Sequence, residues 1–277
     1  MSTKRKRSVS RSKASRVNAS RGPIVARRYD AAKIDRLTAD WVFGPLSSNE
    51  EIKGGIETVR NRARELERND PTARQYLGMV ERNIVGRGFQ LRIDGDEGGR
   101  VAKLFARWMT RADVASGMSG PDLQRLAIRT VARDGEVLCK LLRGSSHADG
   151  LGIQILEADY LDHNVNVATG PARTVMGVEL DAMNRPTKYH LFDAHPGEFA
   201  RGGFSGKRII CDAADVIHVF RRERPGQVRA VSWMASVMQA IRMLHGYQEA
   251  ELVAARIASC KMGFYKIPPG EDFPPDG

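Results

Sequence analysis

The chain has 277 residues, 44 Lys and Arg against 33 Asp and Glu, a formal net charge of +11 and three cysteines. No apolar run approaches the roughly 18 residues of a membrane-crossing helix, no secretory signal opens the chain, and Cys139, Cys211 and Cys260 form no CxxC pair. Membrane-spanning, exported and disulfide- or zinc-framed classes are therefore set aside, and the expectation is a soluble protein of a reducing cytoplasm.

The charge is unevenly spread. Residues 1–28 carry ten basic side chains (Lys4, Arg5, Lys6, Arg7, Arg11, Lys13, Arg16, Arg21, Arg27 and Arg28), six serines and no acid, which leaves 34 basic against 33 acidic residues from Tyr29 onward. A segment so polar predicts a disordered arm that binds polyanions through its charge, and the whole-chain charge says nothing about the near-neutral body. Readings of the arm as a nuclear localisation signal or a transit peptide are weak, because short basic clusters are common and an amphipathic face is missing.

From residue 27 a short helical pattern runs to Trp41 and breaks at Gly44-Pro45. Ser47 and Ser48 offer caps for a helix over 50–69, with Val59, Ala63 and Leu66 on one side and a densely charged face that reads as solvated. Asp70-Pro71 starts a further helix that runs to Gly86. FQLRI (89–93) alternates like a strand, and helices follow over 98–110 and 122–133, the second with Pro121 at its start and Gly135 just past its end.

Beyond Gly135 the period drops to two. Strands are predicted at 136–143, 151–158, 174–181, 187–193 and 215–220, with MNRP (183–186) as a turn and a last candidate at 262–267. Helices followed by neighbouring strands give an α+β fold with a mostly antiparallel β region. After the Pro225-Gly226 turn, Met234, Val237, Met238, Ile241 and Leu244 recur on one helical face that continues through Leu252, Ala255 and Ala258. A helix over 229–259 would be about 45 Å long at 1.5 Å per residue. Gln248 and Glu251 interrupt its stripe, so one half is expected to pack into a domain and the other to meet neighbours; periodicity alone equally fits a buried domain helix.

Catalytic patterns fail on inspection. GGFSGK (202–207) lacks the last glycine of a nucleophile elbow, and Arg201 and Arg208 stand where a phosphate-binding loop needs Gly and Ser or Thr, so a loop around Ser205 is the simpler reading. Asp159, Asp162 and His163, or His190, His195 and His218, could converge on a metal, but structural hydrogen bonds explain them more cheaply. Asp134 and Glu136 suggest acid/base work, yet a helix cap followed by a strand accounts for them as well. No cofactor is expected.

Several blocks in one order carry a resemblance: ARRYDAA (26–32), RNRARELERNDPTA (61–73 with its flanks), NIVGRGFQ (83–90), RDGE (133–136), IQILEAD (153–159), GVELDAMNRPTKYHLF with HPG (177–197), ADVIHVFRRERPGQVRAVSW (214–233) and YQEAELVAARIAS (247–259). Together they resemble the lambda-type family of tailed-phage portal proteins. The resemblance implies a non-enzymatic homo-oligomer, a dodecameric ring at one capsid vertex. Double-stranded DNA would pass through its channel, driven by the terminase large subunit, with major capsid or scaffold protein and head-tail connector proteins as further partners. It also implies a location in the virion, with the host cytoplasm during assembly, and a chain that would continue beyond PPGEDFPPDG.

The division expected is a basic arm at 1–28, a wing-like α+β body at 29–225 and a stem approach at 226–277. Expected assembly residues are Arg224, Pro225, Gly226 and Gln227 at the start of the long helix, and Trp233, Tyr247, Glu251 and Arg256 along it. Lys4, Arg5, Lys6, Arg7, Arg11 and Lys13 are the expected nucleic-acid contacts. The alternatives are a DNA-associated protein with this arm and a dimerising body, and a hydrolase using the 202–207 loop or the histidines.

Overall fold

The computed structural model describes residue 36 and residues 44–95, 97–115, 117–144, 147, 149–168, 173–198 and 206–260. The basic arm, nearly all of the helix expected over 27–41, residues 202–205 of the candidate loop and the strand expected at 262–267 lie outside the described residues.

Among the described residues, five helices come first. Helix α1 (Ser48–Lys53) is capped by the Ser47 hydroxyl, which accepts from the Glu50 N–H at 3.3 Å. The single helix expected over 50–69 is broken at Gly54-Gly55, where α2 (Ile56–Asn69) begins. Asp70 ends α2 through its N–H and caps α3 (Pro71–Ile84) through its carboxylate, which accepts from the Ala73 N–H at 2.8 Å. Helix α4 (Gly98–Met109) follows, then α5 (Gly120–Asp134), capped by Ser119 and closed by Gly135 at φ 98°. A Cβ at Gly135 would stand 2.4 Å from the Val231 carbonyl carbon, so this position needs glycine both for its backbone and for the chain that crosses it.

Two antiparallel sheets follow. One has the order β2-β1-β7, built from β1 (Glu136–Arg143), β2 (Leu151–Leu156) and β7 (Val216–Phe220). The other has the order β3-β4-β5-β6, built from β3 (Arg173–Val175), β4 (Val178–Leu180), β5 (Pro186–Phe192) and β6 (Arg208–Asp212). The strand expected over 174–181 is thus a tight hairpin, turned at Met176 (φ 46°) and Gly177 (φ 84°). Strand β6 escapes sequence reading because its ends are charged. The turn before β5 forms around Asp181, whose carboxylate accepts from the N–H groups of Met183 and Arg185, both at 2.8 Å.

Two cores result. Leu138, Leu156, Val178, Leu180, Tyr189 and Leu191 join the sheets, each fully buried aliphatic side chain contributing about 1.5–3 kcal/mol. Ala63, Leu66, Leu77 and Ala132 join α2, α3 and α5, and Met234 and Met238 from the late chain complete that second core. The long helix α6 (Met238–Cys260) therefore starts nine residues later than expected. Residues 229–237 run through turns instead, because their side chains enter the body. The packed half of the expected helix is shorter than expected: within α6 only Met238 is buried, and Ile241 packs partly against the same core. Residues 89–93 take no strand pairing among the described residues.

Candidate functional site

Before α6, the chain is pinned by a turn built around one amide. The side-chain oxygen Oε1 of Gln227 accepts from the main-chain N–H groups of Glu223 (2.8 Å) and Arg224 (3.1 Å), and its Nε2 donates to the Arg229 carbonyl at 2.9 Å. Pro225 and Gly226 (φ 76°) supply the reversal. Helix α1 holds this turn from outside: Arg224 donates to Glu51 at 2.6 Å and to the Leu46 carbonyl at 3.1 Å, while Asn49 bonds both the Gly226 carbonyl and the Val228 N–H at 3.0 Å. Arg224, Pro225, Gly226 and Gln227 thus form one device. Trp233 belongs with the body, its main-chain N–H donating to the Ala132 carbonyl at 3.1 Å, whereas Tyr247, Glu251 and Arg256 lie on exposed turns of α6. The structure brings the first four together and leaves the last three apart from them.

The residue that sequence reading missed is Arg229. It is fully buried and clasps Glu136 through Nε at 2.7 and 2.8 Å and again through a terminal nitrogen. Its remaining N–H groups donate to the carbonyls of Leu161, Met176 (3.0 Å) and Ala158, so one side chain ties the segment before α6 to both sheets. Glu136 also accepts from His218 Nε2 at 3.1 Å. Burial alone would push the Glu136 carboxyl up, but the Arg229 charge and the hydrogen bonds from His218 and Arg229 carry it well below the usual carboxylate range. Burial lowers His218 despite the attraction of Glu136, which fits a neutral imidazole donating from Nε2.

From Glu136 the charges continue outward in alternation. Arg60 lies 3.8 Å from Glu136 and donates to Asp159 at 2.9 Å, and Arg64 bridges Asp159 (2.5 Å) and Asp134 (2.8 Å). Arg133 joins Asp134 to Glu67, and Arg129 joins Glu67 to Glu81. The charged face of α2, read from sequence as solvated, is corrected at its border only: Arg60 is 2% exposed, and Arg64 and Glu67 are half-buried against their partners, whereas Glu57, Arg62, Glu65 and Arg68 are exposed as expected. Asp134 and Glu136, the acid/base candidates, are both fully buried and paired with arginine.

The histidines do not converge. His163 faces Glu57, His190 faces Glu179, His218 faces Glu136, and Asp162 takes Arg208 at 2.7 Å. Among the described residues, Glu157, Asp159 and His195 bring ligand atoms within 4.8 Å of one another. Arg64 stands 3.2 Å from Glu157 and 2.5 Å from Asp159, so the carboxylates already hold a cation and a divalent ion would meet its repulsion. This cluster is part of the charge network.

Outside, α6 inverts the usual order. Met243 is 75% exposed and Leu252 69%, with Leu244, Tyr247, Val253 and Ile257 also open. Contiguous apolar side chains left open in this way are the kind of surface that marks an interaction site.

The chain thus holds its interior with paired charges and offers apolar residues outward along α6. Its family is shown by comparison: the model of the lambda family of phage portal proteins matches residues 34–276, and the chain belongs to that family. It is similar to a probable portal protein of Halomonas phage phiHAP-1, at 31% identity over 272 residues that cover 90% of this chain and 52% of the relative. The chain thus spans about half the length of the curated relative it matches.

Proposed function

We propose that this chain forms the body and stem approach of a portal subunit, which gains its function by joining further copies in a ring at one vertex of a phage capsid. Double-stranded DNA is packaged through the ring's channel and later ejected through it. The observation that carries this reading is the exposed apolar helix α6 rooted in a rigid body, and membership of the portal family supports it. Heterologous contacts that close by rotation make such rings, and a dodecamer is the ring size proposed.

In this reading no residue of the chain is catalytic. The energy of packaging comes from the terminase large subunit, while major capsid or scaffold protein and head-tail connector proteins meet other parts of the ring. Assembly takes place in the host cytoplasm and the product resides in the virion. The arm residues Lys4, Arg5, Lys6, Arg7, Arg11 and Lys13 contact DNA phosphates. The body runs on to residue 237, since residues 228–234 are largely buried in it, and the stem approach starts with α6.

The test is the solution mass and negative-stain image of this chain beside a chain extended by downstream sequence to the length of the relative. Ring-sized particles from the extended chain are expected. Monomers or dimers from both, at every salt concentration, would remove the ring reading.

A further inference from the structure

Helix α4 turns toward water the side that a helix ordinarily buries. Val101, Leu104, Phe105 and Trp108 recur at three- and four-residue steps, yet Gly98 is the one buried residue of this helix and Leu104 is 56% exposed. Leu91 and Phe105 border two clefts, one of about 340 Å³ with Phe89 and Met109, the other of about 470 Å³ with Leu104 and Trp108. The Trp108 indole N–H donates to the Leu151 carbonyl at 2.7 Å, which fixes one wall of the larger cleft. Arg107 stands at that cleft too. The acid beside it, Asp149, is already held at both oxygens by Arg111, each at 2.6 Å, so the Arg107 guanidinium has no ion pair of its own among the described residues. An aromatic-lined cleft with a spare cation fits a short extended segment that sets an aromatic ring or proline beside a carboxylate.

We infer that these clefts take residues 268–277 of a second copy of the chain, with Phe273 in the larger cleft and Asp272 against Arg107. The inference rests on the assembly proposed above and names one of its contacts. The segment reads PPGEDFPPDG: four prolines, one aromatic ring, three acids and no base. Charge sets it apart from the basic arm, which Arg107 would repel. Length sets it apart from α6, whose open side chains from Met243 to Ile257 run for about 21 Å, against about 10 Å from Val101 to Trp108. A neighbour's clefts also ask less of the backbone than its own. Helix α6 carries Cys260 about 34 Å from Met238, so a return to the root of the helix alone would use most of the roughly 45 Å that the thirteen residues from there to Phe273 span when fully extended. Because the segment and the clefts are different surfaces, the contact runs head to tail, as a ring requires.

Cysteine pairing tests this on the full chain in a Cys260→Ser background. Leu104→Cys protein mixed with Pro274→Cys protein should give disulfide-linked dimer under mild oxidation, about tenfold above either protein alone. Arg107→Glu on the Leu104→Cys partner should remove that excess, and Asp272→Arg on the Pro274→Cys partner should bring it back. Leu104 and Arg107 are exposed, so unchanged thermal melts are expected to accompany the result. A cross-link indifferent to Arg107→Glu would overturn the inference, as would one formed within a single chain of the double variant Leu104→Cys/Pro274→Cys. Ring-sized particles from the extended chain without the cross-link would overturn this contact and leave the ring reading standing; absence of both would overturn the two together.

Discussion

The body and the helix that leaves it treat polarity in opposite ways. Around Glu136 and Arg229 the body encloses a chain of alternating charges from β1 out to Glu81 on α3, while α6 holds Met243, Tyr247 and Leu252 in water. The body can bury charges because nearly every one meets an opposite charge or a carbonyl of its own chain. The helix has no such partner among the described residues. One region satisfies its polar groups within itself, and the other leaves its apolar groups open.

This contrast is broken most sharply at its inner end. Arg229→Met leaves Glu136 buried without its main counter-charge and should destabilise the chain by about 3–5 kcal/mol in urea unfolding. Arg229→Met/Glu136→Gln should recover part of that loss, since the orphan charge is gone. Gly135→Ala comes next: its φ and the crowding against Val231 should cost about 2–3 kcal/mol.

Acid should loosen the same network in two stages. His218 is held below its ordinary 6.5, so the stability it contributes is complete above that pH and is lost as the pH falls toward its folded value. Glu136, held below its ordinary 4.5, adds a loss only beneath that pH. Each stage has a slope of at most about 1.4 kcal/mol per pH unit. His218→Gln should flatten stability just below pH 6.5 while the lower stage persists.

Changes on α6 sharpen the comparison by their smallness. Leu252→Asp should shift stability by no more than about 0.5 kcal/mol yet reduce self-association in sedimentation velocity. An equal loss of stability and association would place that face inside the fold.

Local chemistry made much of this legible in sequence. Asp70-Pro71, Pro121 and Gly135 mark helix ends by capping and backbone rules that act within a few residues, and β1, β5 and β7 follow from alternation. Arg229 was illegible because its partner lies 93 positions away and an arginine in QVRAV reads as surface. Arg60 and Arg64 misled for the same reason, their partners being on α5, β1 and the turn after β2. The false start of α6 shows periodicity losing to a tertiary contact: Met234 and Met238 share a helical spacing but reach the core from different structures, a turn and a helix. Residues 224–227, expected to act in assembly, were legible as a turn from Pro225-Gly226, though not as a clasp on α1.

The rooting of α6 also sets a mechanical tolerance. At 1.5 Å per residue its 23 residues reach about 34 Å, so a tilt of about 5° at the base displaces the tip by about 3 Å. That displacement is most of the spacing between adjacent strands. The Gln227 turn, the Arg229 clasp and the Trp233 tether to Ala132 lie within seven residues at the fulcrum. They act as the bearing of a lever, and in the ring proposed above slack there would be felt by every subunit whose tip must meet its neighbour's.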